Sequence, residues 1–166
     1  MSLNDISIIL DFEAFMLPGK TIYRELSWIH LQTDESDSFN IYTPGILYKN
    51  LNPQDQRTVR YCTHKLTGLF LAQKPTRYGN WMNCDELKPY LLSLYKKHGK
   101  YFAFKGGIIE KNLLEELRIP FLDLEEFEVP KSTDIGTIEK CKNHISQIKH
   151  CSLCDVILYK RYIKNL

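Results

Sequence analysis

Two short patterns at opposite ends of the chain carry the residue types of metal-assisted chemistry. Near the N-terminus, Ile6-Ser7-Ile8-Ile9-Leu10-Asp11-Phe12-Glu13 reads as an extended strand. Residues two apart on a strand share a face, so Asp11 and Glu13 project together while Leu10 and Phe12 point the other way. Carboxylates held side by side repel unless a cation lies between them. Hard oxygen donors suit Mg²⁺ or Mn²⁺, and two such ions about 4 Å apart activate a water and stabilise the leaving oxygen of a phosphodiester. Near the other terminus, His150-Cys151-Ser152-Leu153-Cys154-Asp155 places an imidazole shortly before a third carboxylate. A neutral His beside such a site is suited to taking the proton from an attacking water.

A second set of donors overlaps this segment. The cysteines are Cys62, Cys84, Cys141, Cys151 and Cys154. An odd number in a chain read as non-secreted points to thiols or metal ligands rather than disulfides. Cys141 and His144 share one turn and can grip one ion. Cys151 and Cys154, spaced i and i+3 at a helix start, can complete a tetrahedral Zn²⁺ shell. Two weaker features are Lys105-Gly106-Gly107, which reads as a phosphate-facing helix start or a plain turn, and Arg57, Arg60, Tyr61, His64 and Lys65, which read as a nucleic-acid contact or a solvated helix face.

The elements that must position these residues follow from periodicity and punctuation. Extended segments over 6–15, 21–32 and 39–43, broken by Pro18-Gly19 and a polar stretch, form an antiparallel meander. A short helix is expected over 53–64. A second runs to about His98, capped by Asn83 or Asp85, with Leu87, Leu91, Leu92 and Tyr95 on one face and Gly99 closing it. Then come a strand over 100–104, a helix over 108–118, a strand over 120–124, a helix beginning near Thr137, and a last helix over 151–163. Strands alternating with helices must pair in parallel, so the whole is α/β: a mixed five-stranded sheet whose first three strands are antiparallel, flanked by helices.

Composition sets the frame. The 166 residues suit a single domain, 1–166, and 43% hydrophobic with 12% aromatic content is that of a folded globule. A net charge of +2 gives no bulk attraction to polyanions, so any nucleic-acid site is local. No apolar run reaches membrane-spanning length, and the start of the chain lacks signal-peptide character, so the expected location is intracellular, in cytoplasm or nucleus.

Asp11, Glu13, His150 and Asp155 resemble the DEDDh exonucleases of the ribonuclease-H-like superfamily, which carry Asp-x-Glu on the first strand and His-x4-Asp at the start of the last helix. The resemblance implies metal-ligating carboxylates, a general base at His150, and 3′–5′ exonuclease activity on single-stranded nucleic acid, RNA favoured. The family's middle carboxylate is an Asp opening a helix, whereas the nearest acid here is Glu110, a departure from the pattern. The chain is also similar to the Maelstrom domain, a divergent member of the same superfamily with a Glu-Cys-His-Cys zinc set. Cys141-x2-His144 followed by His150-Cys151, Glu13, Gly19 and Pro44-Gly45 carry that likeness. It implies a catalytically silent, zinc-stabilised module binding RNA or a protein partner. Asp11 and Asp155 beside the cysteines favour a nuclease with an added structural zinc.

Overall fold

A computed structural model describes residues 1–138, 144 and 150–166. The helix expected near Thr137 falls largely on 139–143 and 145–149, outside the described residues. The chain opens with β1 (Ile6–Leu17), which turns at Pro18-Gly19 into β2 (Lys20–His30). Gly19 takes a φ of +69°, a conformation that an L side chain disfavours, so glycine suits the turn. Strand β3 (Ser36–Tyr42) completes the antiparallel meander.

Helix α1 (Pro53–Tyr61) begins as its sequence dictates, with Asn52 accepting from the Asp55 amide at 2.8 Å and proline in the first turn. It runs into a wider-wound turn, Cys62–Thr67, closed by Gly68. A short strand, β4 (Trp81–Asn83), precedes α2 (Leu87–His98), and Asn83 caps the intervening turn. The buried face of α2 is Leu87, Leu91 and Leu94, at i, i+4 and i+7, whereas Leu92 is 45% exposed, which corrects the expected stripe. Gly99 ends α2 as expected. There follow β5 (Tyr101–Phe104), α3 (Ile108–Glu116), β6 (Phe121–Asp123), α4 (Ser132–Ile135) and α5 (Ser152–Lys164).

The sheet has six strands in the order β4-β3-β2-β1-β5-β6, mixed in direction, with β4, β5 and β6 parallel to their neighbours. The α/β expectation holds, and the expected five strands become six. β4 adds to the outer edge of β3 in a stretch too short and too polar on its flanks to announce itself. Alternation in β1 divides the molecule into layers. Ile8, Leu10 and Phe12 join α2 and α3 in one core with Phe102, Phe104 and Leu113. Ile9 belongs to the core on the opposite face, built with Leu122, Val156, Tyr159 and Ile163 and covered by α5. Asp11 and Glu13 continue the Ile9 face toward the first turn of α5. None of the described helices is long and apolar enough to cross a membrane.

Candidate functional site

β5 pairs with β1 only as far as Ile9↔Ala103, so the β1 edge beyond it is open where Asp11, Phe12 and Glu13 pass. Crevices beyond the C-terminal ends of strands are where open α/β sheets place their ligands. Here the crevice is a cavity of about 350 Å³, lined among others by Asp11, Glu13, Lys105, Lys131, His150 and Asp155. One oxygen each from Asp11, Glu13 and Asp155 lie within 4.8 Å of one another. Glu13 and Asp155 are 8% and 7% exposed.

Glu110 stands behind this trio. It opens α3 at 4% exposure and accepts from the Phe12 amide at 3.1 Å, filling the position that a longer β5 would have paired. Its approach depends on Gly107, because a methyl group there would overlap the Glu110 carboxylate. The Asp11 carboxyl lies against those of both Asp155 and Glu110. Carboxyl groups in such contact need a proton or a cation between them. Burial first, and then the neighbouring charges of Glu13, Glu110 and Asp155, hold Asp11 well above the usual carboxylate range. Burial likewise raises Glu13, with Glu25 and Asp155 adding to it. Glu110 and Asp155 are also raised by burial, although hydrogen bonds oppose it in both.

The donor set fits a hard divalent cation: oxygen atoms only, several carboxylates, and repulsion that a positive ion relieves. His150 is exposed at the rim of the same cavity, and its backbone amide donates to the Leu66 carbonyl at 3.0 Å.

A second cluster lies on the far side of Glu13. Glu25, directly across from Glu13 in the β1–β2 ladder, groups with His144 and Cys151 with donor atoms within 4.8 Å. Glu25 is fully buried, held by the Ser152 amide at 3.1 Å and the Ser152 hydroxyl at 2.5 Å. Ser152 in turn contacts Ser27 at 2.7 Å, and Ser27 contacts Ser38 at 2.8 Å. The His144 ring is anchored through Nδ1 to the Thr67 carbonyl, while Nε2, buried and without an aligned hydrogen bond, comes within 3.3 Å of Glu25 Oε2. A ring nitrogen donating to a backbone carbonyl while the other faces a thiol and a carboxylate is the tautomer arrangement of a metal-ligating histidine. Burial works to lower the His144 pKa, but the Cys151 thiol and the Glu25 carboxylate beside the ring outweigh it and push it up to about 10. Nitrogen, sulfur and one carboxylate oxygen fit Zn²⁺.

The predicted residues thus sort into two neighbouring groups. Asp11, Glu13 and Asp155 converge, with Glu110 behind them and His150 at the rim; His144 and Cys151 converge beside them. Glu13 belongs to the carboxylate group, so the acid beside the histidine and thiol is Glu25, which the sequence reading did not single out. Cys154 is buried one turn along α5, outside the Glu25 group, at a small cavity with Gly136 and Leu158. Cys141 lies outside the described residues. Lys131 at the cleft was also missed, since isolated lysines carry no spacing signal. No protein-family model, curated protein or solved structure matches the chain.

Proposed function

We propose that this chain is a ribonuclease-H-like, metal-dependent 3′–5′ exonuclease acting on single-stranded nucleic acid, RNA favoured, with an added structural zinc. The convergence of Asp11, Glu13 and Asp155 in an open cleft carries the reading. The element order supports it: with β4 set aside, the sheet is three antiparallel strands followed by two parallel ones, and the last helix brings its acid back to the first strand. The strand polarity comes from the resemblance described above.

Asp11, Glu13 and Asp155, with Glu110, would hold Mg²⁺ or Mn²⁺, which when bound lowers the pKa of a water and neutralises developing charge on a phosphodiester. His150, at the rim, accepts the proton of the attacking water. Burial keeps the carboxylates desolvated, which strengthens every electrostatic contact made in the cleft. Glu25, His144 and Cys151 would hold Zn²⁺, with Cys141 the candidate for the fourth position, and their task is to fix the first turn of α5.

The test is degradation of an end-labelled single strand by wild-type protein and Asp11→Asn. Wild type should shorten the strand from its 3′ end in Mn²⁺, while Asp11→Asn, with an unchanged circular dichroism spectrum, should not. Equal rates would sink the assignment. The Glu25–His144–Cys151 group favours a second reading, a silent zinc-stabilised module binding RNA or a protein. That reading predicts a wild-type protein that retains zinc and binds its partner yet cleaves nothing.

A further inference from the structure

Lys105 stands where β5 leaves the sheet, and its side chain is only 12% exposed, unusual for a lysine without a close partner. Among the described residues its ion-pair partner is Glu125 at 3.5 Å, a long contact to a side chain that is 64% exposed. Both line the cleft that holds Asp11, Glu13 and Asp155. The length of the pair does not come from loose backbone. Asp123 Oδ1 accepts from the Gly106 amide at 2.8 Å and from the Glu125 amide at 2.9 Å, tying the two turns to one carboxylate. Gly106, at a φ of +66°, leaves the space into which the Glu125 carboxylate reaches, and a methyl group there would overlap it.

Charge gives this pair a task. Asp11, Glu13 and Asp155 line the cleft with Glu110 behind them, and two divalent ions would do no more than neutralise these four carboxylates. Among the described residues, Lys105 is the largely buried cation lining the cavity, and Lys131, exposed at the start of α4, is the other lysine there. An exposed carboxylate held loosely is a weak partner for an ammonium. A phosphate, offering several charge-assisted acceptors, is a stronger one.

We propose that Lys105 is a phosphate-binding residue of the cleft, held in reserve by Glu125 and released to the substrate when a strand enters, with Lys131 adding a second phosphate contact. The inference rests on the nuclease reading and names the part of the substrate that Lys105 contacts, its backbone phosphate. Exchange makes opposite predictions for the two members of the pair: removing the lysine weakens binding, and neutralising the glutamate strengthens it.

Binding of a fluorescent single-stranded oligonucleotide to the full chain, read by anisotropy in Ca²⁺ across a salt series, tests this without requiring turnover. Lys105→Ala should weaken binding about tenfold and reduce the slope of log affinity against log salt by about one. Lys105→Arg should restore most of both. Glu125→Gln should tighten binding several-fold at low salt, by less when Lys105 is already alanine. Unchanged affinity and salt slope in Lys105→Ala, or weaker binding by Glu125→Gln, would overturn the proposal. If wild type binds with this pattern but hydrolyses nothing, the phosphate site stands and the hydrolytic reading falls. If Asp11-dependent hydrolysis is present and Lys105→Ala binds as wild type does, only the phosphate site falls.

Discussion

At the residue scale, the cleft depends on groups that are costly for folding. Glu110 reaches Phe12 only because position 107 lacks a side chain, so Gly107→Ala should displace the fourth carboxylate without touching the other three. The expected outcome is weaker Mn²⁺ affinity and a lower rate, with the Asp11–Glu13–Asp155 trio still binding metal; calorimetric titration alongside a rate measurement checks it, and unchanged affinity would remove Glu110 from the site. His150 is exposed at the rim, and its backbone amide donates to the Leu66 carbonyl. His150→Ala should therefore cost about two to four decades in rate while sparing stability and metal binding. A drop in thermal stability instead would assign the residue a structural role. Glu110 could be named from its place at the start of the helix over 108–118, but its burial could not: only the open edge of β1 makes it a buried acceptor.

At the element scale, the β1–β2 hairpin decides which acid joins which cluster. From the turn outward the register pairs Leu17↔Lys20, Met16↔Thr21, Phe15↔Ile22 and Ala14↔Tyr23, and continuing it would set Glu13 against Arg24. A bulge between Glu13 and Ala14 shifts the ladder by one residue, so Glu25 faces Glu13 and Arg24 turns inward, donating to the carbonyls of Phe70 and Ile41. A shift of one residue exchanges faces, and no local pattern announces it. The first turn of α5 then serves both clusters, with Cys151 and Ser152 at Glu25 and Asp155 at Asp11. Removing zinc should loosen that turn and be felt at the carboxylates. A zinc site filled at about 1,000 times its Kd adds about 4 kcal/mol, and at about 2–4 °C per kcal/mol chelation should lower Tm by about 8–16 °C. Glu25→Gln should do much of the same and reduce cleavage through Asp155. Purified protein lacking zinc, with a Tm indifferent to chelator, would end the zinc assignment.

At the scale of the whole molecule, Asp11, Glu13, Glu110 and Asp155, each raised by desolvation, make stability depend on pH and on cation. Each has a folded pKa above its unfolded value, so its contribution is fully present below the unfolded value, about pH 4, and is lost as pH rises through the folded one. His144, raised to about 10, acts in the same direction: its contribution is present below about pH 6.5 and lost as pH rises through about 10. Metal-free protein should therefore melt higher at pH 5 than at pH 7, and Mn²⁺ should raise Tm at pH 7 much more than at pH 5. Asp11→Asn should flatten the pH dependence and melt above wild type in the absence of metal. A metal-free Tm that rises from pH 5 to pH 7 would contradict the burial of these carboxylates.

What the sequence determined by itself is local. A period of two put Asp11 and Glu13 on one face, Pro18-Gly19 set the hairpin, Asn83 and Gly99 marked helix ends, and the spacing of His150 and Asp155 placed both around one helix start. These signals are carried by backbone geometry over a few residues, and they survive in the tertiary structure. What only the tertiary structure decided is non-local: the bulge that selects Glu25, the open edge that buries Glu110, the strand β4 on the sheet's flank, and the meeting of Lys105 with Glu125. Each depends on distances between elements far apart in the chain, where a one-residue shift in pairing moves a side chain from one face to the other.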